Sequence, residues 1–135
     1  MLSTSRTTKS LVVKKFKKTC AGFIAAFLLS GSASAGLPVV EAVNLTSLGG
    51  NTWRVDVTVS HADSGWDHYA NGWRVIDSEG KELGFRELLH PHETEQPFTR
   101  GLTLEIAESV LAIRVQAIDL LHGDGEASEE VLIPR

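Results

Sequence analysis

Trp53-Arg-Val-Asp-Val-Thr-Val-Ser-His61 decides the fold of this chain. Trp53, Val55, Val57 and Val59 fall on one phase, and Arg54, Asp56, Thr58 and Ser60 on the other. Successive side chains of a strand point to opposite faces, so this alternation describes a half-buried strand with one face on a core and one in water. Working outward, Gly49-Gly50-Asn51 is a turn, and residues 38–45 before it form a first strand. Downstream, 72–76 and 83–89 flank the polar hairpin loop Asp77-Ser-Glu-Gly-Lys81. Residues 98–106 alternate through Leu102, Leu104 and Ile106, and 129–133 supplies a short last strand. Residues 106–121 carry two periods at once: Ile106, Val110, Ile113 and Ala117 fit a helix, while Ile113, Val115 and Ala117 fit a strand. The neighbouring strands recur every 8–12 residues or so, which favours a strand over 111–121. The whole predicts an all-β fold, a single antiparallel sandwich of seven strands.

The run Ala112-Ile-Arg-Val-Gln-Ala-Ile-Asp119, followed by Gly123 and Gly125, resembles the penultimate strand of fibronectin type III and related immunoglobulin-like domains. The likeness covers about seven strands, without the two cysteines of antibody domains or a tyrosine at the corner position. Two further segments are similar to a group of small exported bacterial proteins: His61-Ala-Asp-Ser-Gly-Trp-Asp-His-Tyr-Ala-Asn-Gly-Trp73 and Leu89-His-Pro-His-Glu-Thr-Glu-Gln-Pro-Phe-Thr-Arg100. That second resemblance implies a fold and no activity.

The chain has 135 residues, 13 Lys and Arg against 17 Asp and Glu, and a formal charge of −4. The signs are segregated. Six of the bases (Arg6, Lys9, Lys14, Lys15, Lys17 and Lys18) precede residue 20, ahead of the apolar run from Ala21 to Leu29 and of Ala33-Ser34-Ala35. Basic, apolar and small residues in that order describe a secretory signal over 1–35, cleaved before Gly36. The apolar run is shorter than the roughly 20 residues a membrane-spanning helix needs, and the mature chain contains no second run of that kind. Cys20 lies ahead of the apolar run, where a lipoprotein cysteine would follow it, so the expectation is a periplasmic or secreted protein without a lipid anchor. The domain over 36–135 then keeps seven bases against all 17 acids, a formal charge of −10, which leaves no basic stripe for nucleic acid. It also keeps no cysteine, so disulfides, thiolate metal sites and cysteine nucleophiles are excluded from it.

If each connection reverses the chain direction, all five histidines fall at one pole. His61 and His68 flank the connection before 72–76, His90 and His92 lie between 89 and 98, and His122 follows 121. Convergent loops at one end of a sandwich are where such folds place binding surfaces. Imidazoles beside carboxylates are ligands for zinc or copper, which makes His61, His68, His90, His92 and His122 candidate metal ligands. Trp66, Asp67, Tyr69, Glu93 and Glu95 occupy the same loops as candidate partner contacts, unless Trp66 and Tyr69 fold back as a lid on the core. Arg100 shares the inward phase of Leu102 and Leu104, and Asp119 that of Val115 and Ala117, which predicts a buried Arg100–Asp119 ion pair. The alternative role for Asp119 is to orient His61.

Three functions follow for the exported domain. One is non-catalytic binding of an envelope protein, peptide or glycan by the histidine pole. Another is a periplasmic zinc- or copper-binding protein. The third, a metal-assisted hydrolase, has little room, since a domain of this size offers little depth for a substrate pocket.

Overall fold

The computed structural model describes residues 36–135, so the leader expected over 1–35 lies outside the described residues. Its strands are β1 (Val39–Ser47), β2 (Thr52–Ser60), β3 (Ala70–Ile76), β4 (Glu82–Glu87), β5 (Phe98–Glu105), β6 (Ala112–Asp119), β7 (Gly123–Asp124) and β8 (Val131–Leu132). They form two antiparallel sheets. One has the order β1-β2-β5; in the other, β4-β3-β6 continues into β7, with β8 also on β6. The valines of β2 are buried, together with Trp53, and pack into one core with Trp73, Val75, Ile113, Val115 and Ala117 of the facing sheet. Phe98, Leu88, Ile106 and Ile133 complete it.

Eight strands stand where seven are expected, because the last strand is broken in two. Gly123 takes a positive φ of 84°, which lets the chain turn tightly out of β6. Between β7 and β8 the backbone still follows β6, with Gly125 N–H donating to Ala117 O and Ser128 N–H to Val115 O, both at 2.8 Å. The ambiguous stretch also resolves. Ala107 O accepts from Val110 N–H at 2.9 Å to close a turn, Ile106 plugs the core, and the strand begins only at Ala112. The helical spacing there reflects two core residues contributed by a turn rather than one continuous face.

The register fixes the pole. Val39 opposes Ser60, Val59 opposes Phe98, Ala70 opposes Asp119 and Gly72 opposes Glu87. The start of β1, the β2–β3 and β4–β5 loops and the end of β6 therefore meet at one end of the two sheets. Trp66 stands 65% exposed there, its ring edge-on to Tyr69 at 5.8 Å, so the lid expected of it does not form. A truncation series separates the two tryptophans. Trp73→Ala, at a fully buried site, should cost about 3–5 kcal/mol in urea unfolding. Trp66→Ala should cost no more than the roughly 1.5 kcal/mol an aromatic pair supplies.

Candidate metal centre

Asp119 is the last residue of β6, at the end of the inward phase of Val115 and Ala117, and it is 1% exposed. A carboxylate in that position needs positive or hydrogen-bonding partners, because an unpaired buried ion is costly. Arg100 is not among them, which corrects the expected Arg100–Asp119 pair. Although Arg100 shares the core phase of β5, that strand lies at the edge of its sheet, and the guanidinium swings over the Phe98 ring to Glu95 at 3.1 Å. The hydrogen bond from Arg100 holds the Glu95 carboxyl below its usual range. The partners of Asp119 are histidines instead.

Three ring nitrogens converge on one oxygen, Asp119 Oδ2: His122 Nδ1 at 2.8 Å, His68 Nε2 at 2.9 Å and His61 Nε2 at 3.1 Å. The other oxygen, Oδ1, accepts the Leu121 N–H at 2.7 Å, which shapes the turn that delivers His122. The rings of His61 and His68, and of His68 and His122, stand edge-on with centroids 4.9 Å apart. Among the described residues, His61, His68 and Asp119 offer ligand atoms that all lie within 4.8 Å of one another.

Asp63 stands behind His61. Its Oδ1 lies 2.6 Å from His61 Nδ1 and accepts the Ala70 N–H at 2.9 Å, while Oδ2 accepts the His92 N–H at 2.7 Å. Gln96 joins the same two loops, accepting the His61 N–H at 2.9 Å and donating to His92 O at 2.9 Å. Before β1, the Gly36 carbonyl oxygen reaches to 3.1 Å from His61 Nε2. Gln96 and Gly36 show no spacing signal, because each reaches His61 from a segment distant in sequence, whereas Asp63 lies two residues from it.

The five histidines thus divide. His92 is buried and stacked on Phe98 at 3.9 Å, with neither ring nitrogen hydrogen-bonded, and its Nδ1 is 3.9 Å from Asp63 Oδ2. His90 is exposed, with Nδ1 3.1 Å from the carbonyl of Pro91, and its ring lies 4.5 Å from that of His92. Both line a cavity of about 80 Å³ shared with Arg86 and Arg100, apart from the Asp119 cluster. Burial, then the charges of Arg100 and His90, lower the His92 pKa. Asp67 and Glu93 are exposed near the same pole.

The ionisation states follow from the contacts. Burial is the strongest single influence on His61 and opposes its charge, but Asp63, the Gly36 carbonyl and Asp119 together raise its pKa. Burial likewise opposes the charge on Asp119. The His122, Leu121 and His68 hydrogen bonds and the nearby His61 outweigh it and hold the carboxyl far below the usual carboxylate range. The depressed carboxyl stabilises the fold above its unfolded pKa of about 3.9, an effect lost as pH falls through the folded value. The raised imidazole stabilises it below about 6.5, an effect lost as pH rises through the folded value.

Fold and cluster together define a small all-β domain with a buried imidazole and carboxylate centre at one pole. No family model matches the chain. A protein of Halomicrobium mukohataei described as "Putative lipoprotein" is 45% identical over 83 residues, covering 62% of this chain. The chain spans only 41% of that relative's length. The superoxide reductase (1Fe-SOR) from Giardia intestinalis matches with a TM-score of 0.42 and 19% identity, over 75% of this chain and 100% of that one. That likeness is too loose to carry a common fold.

In chelator-treated His92→Gln protein, which lacks the opposing contribution of the lowered His92 pKa, urea unfolding should show greater stability at pH 5.5 than at pH 8.5. In the same background Asp119→Asn should reduce this difference and cost about 3 kcal/mol at pH 5.5, since it removes one of the two buried carboxylates beside the His61 cation. Stability that climbs from pH 5.5 to 8.5 would contradict the charge assignment.

Proposed function

We propose that the domain is an exported divalent-metal-binding module, with zinc or copper held by His61 Nε2, His68 Nε2 and Asp119 Oδ2, and His122 completing the set. The observation that carries this reading is the crowding at Asp119 Oδ2. A carboxylate oxygen has about two lone-pair sites, yet three imidazole nitrogens lie within 3.1 Å of this one. With its Nδ1 proton directed to Asp63, a neutral His61 presents an Nε2 lone pair to two acceptors, Asp119 and the Gly36 carbonyl. Only a cation relieves that arrangement, whether a proton on His61 or a metal ion among the nitrogens.

Asp63 behind His61 is the outer-shell carboxylate that orients a metal-bound imidazole. Two ligand atoms of one tetrahedral zinc sit about 3.3 Å apart, and those of His61, His68 and Asp119 lie within 4.8 Å of one another, so an ion would enter as these side chains turn toward it. An imidazole and carboxylate donor set suits zinc and copper. Export is supported by the leader pattern and by the relative's description as a lipoprotein. The division of strands between the sheets supports the immunoglobulin or fibronectin III-like assignment.

Titration calorimetry with zinc and with copper(II) at pH 7.5 should show one tight site that releases protons and weakens as falling pH protonates the imidazoles. His68→Ala and Asp119→Ala should each abolish it, whereas the His90→Ala, His92→Ala double variant should retain it. Absence of stoichiometric binding to chelator-stripped protein would refute the reading. The exposed Trp66 beside Tyr69 favours a second role for the same pole. There an envelope protein, peptide or glycan would contact both rings, flanked by Asp67, Glu93 and Glu95. Trp66→Ala should then weaken capture of that partner without changing metal affinity.

A further inference from the structure

Gly36 is the residue that the expected cleavage after Ala33-Ser34-Ala35 would expose, and its carbonyl reaches the histidine cluster. We propose that leader cleavage completes the metal centre, with the new α-amino nitrogen and the carbonyl oxygen of Gly36 binding the ion as a chelating pair. The proposal rests on the reading of the cluster as a metal site.

Three observations place this residue against the histidine cluster. Its carbonyl oxygen lies 3.1 Å from His61 Nε2, the nitrogen that also approaches Asp119 Oδ2. A Cβ at Gly36 would stand 3.1 Å from His122 Cε1 and 3.3 Å from His122 Nδ1, so its Cα rests against a ring of the same cluster. The residue takes a φ of 108°, a conformation that side chains rarely adopt. Sterics and backbone conformation together admit glycine and little else, and the approach is held by buried Pro38 two residues on. A glycine that serves only as a flexible connection would not need to press its backbone between two histidines.

The chemistry depends on the peptide bond before it. In the precursor the Gly36 nitrogen is an amide, whose lone pair is delocalised into the carbonyl and which is a far weaker ligand than a free amine. Hydrolysis by an export peptidase adds water across the Ala35–Gly36 bond, leaving a carboxylate on Ala35 and a primary amine on Gly36. That amine has an ordinary pKa of about 7.7–8.0, so an ion displaces its proton to solvent near neutral pH. Nitrogen and carbonyl oxygen of one residue close a five-membered ring with a metal, an entropically favourable geometry. The precursor would therefore bind metal through imidazoles and carboxylate alone, and full affinity would arise only after export.

The test uses the exported, processed protein with its first residue verified by mass spectrometry, the same protein acetylated at the α-amine, and the full 135-residue precursor. Lys81 is the one lysine after residue 35, so acetylation is readily confined and checked. Copper(II) affinity is measured by competition with a chelator, and electron paramagnetic resonance is recorded on protein labelled with ¹⁵N-glycine. The expected result is at least a tenfold tighter site in the processed protein than in the other two forms. The label should give a directly bonded ¹⁵N coupling in the processed protein alone, since every other glycine nitrogen is an amide. Equal affinity in all three forms, absence of the ¹⁵N coupling, or a first residue other than Gly36 would overturn the proposal while leaving the histidine site standing. No copper binding by any form would overturn the metal reading itself.

Discussion

The buried carboxylate of Asp119 is the constraint on which the pole of this molecule depends. It ends β6, a strand paired on both sides within its sheet, and solvent does not reach it. The loops around it are built to supply what water cannot. The β2–β3 connection sends His61 and His68, the turn after β6 sends the Leu121 amide and His122, and the segment before β1 joins through Gly36 and His61. A second buried carboxylate, Asp63, repeats the arrangement one layer away, gathering His61 Nδ1, the Ala70 amide and the His92 amide. A domain with no cysteine ties its loops together through these two acids, and hydrogen-bonded groups at low dielectric are strong enough for the task.

Much of this was legible in the sequence, and the boundary between legible and hidden is physical. Period-two alternation in Trp53 to Ser60 reports a strand because burial on one face is a local property of the residues concerned. Alternating direction then places His61, His68, His90, His92 and His122 at one end without any knowledge of contacts. Pairing is different. Arg100 and Asp119 both carry the core phase, yet phase says only which way a side chain leaves the backbone. A long guanidinium on an edge strand can curl back to Glu95, while a short carboxylate at the end of an interior strand cannot follow it. Asp63 was legible as a carboxylate among the histidine loops, whereas Gln96 and Gly36 stayed hidden because each acts through contacts with loop backbone or by its own carbonyl, which have no periodicity to read.

The separation of the histidines into two groups has the same origin. His90 and His92 are two residues apart, a spacing that would put both rings on one face of a strand, but β4 ends at Glu87 and they sit in irregular chain. There the His92 ring is committed to stacking on Phe98 and its amide to Asp63, which keeps it on the far side of that carboxylate from the Asp119 cluster. Asp63 therefore both supports His61 and partitions the pole into a centre with a carboxylate at its heart and a small cavity lined by arginine and histidine.

Charge balance explains why the inner compartment suits a divalent ion. Two buried carboxylates, Asp63 and Asp119, lie on either side of the His61 ring, one at each of its nitrogens. An imidazolium at His61 offsets only one of the two, and although burial opposes that charge, Asp63, the Gly36 carbonyl and Asp119 together raise the pKa of the ring. A proton on His61 holds the two acids and the ring in register. In the proposed metal site, a divalent ion at His61 Nε2 would release that proton, leave Nδ1–H donating to Asp63, and set two positive charges against the two negative ones. On the proposed reading the same geometry would stabilise the ion-free fold under mildly acidic conditions and favour a divalent ion nearer neutral pH, because proton and metal would compete for a single nitrogen lone pair.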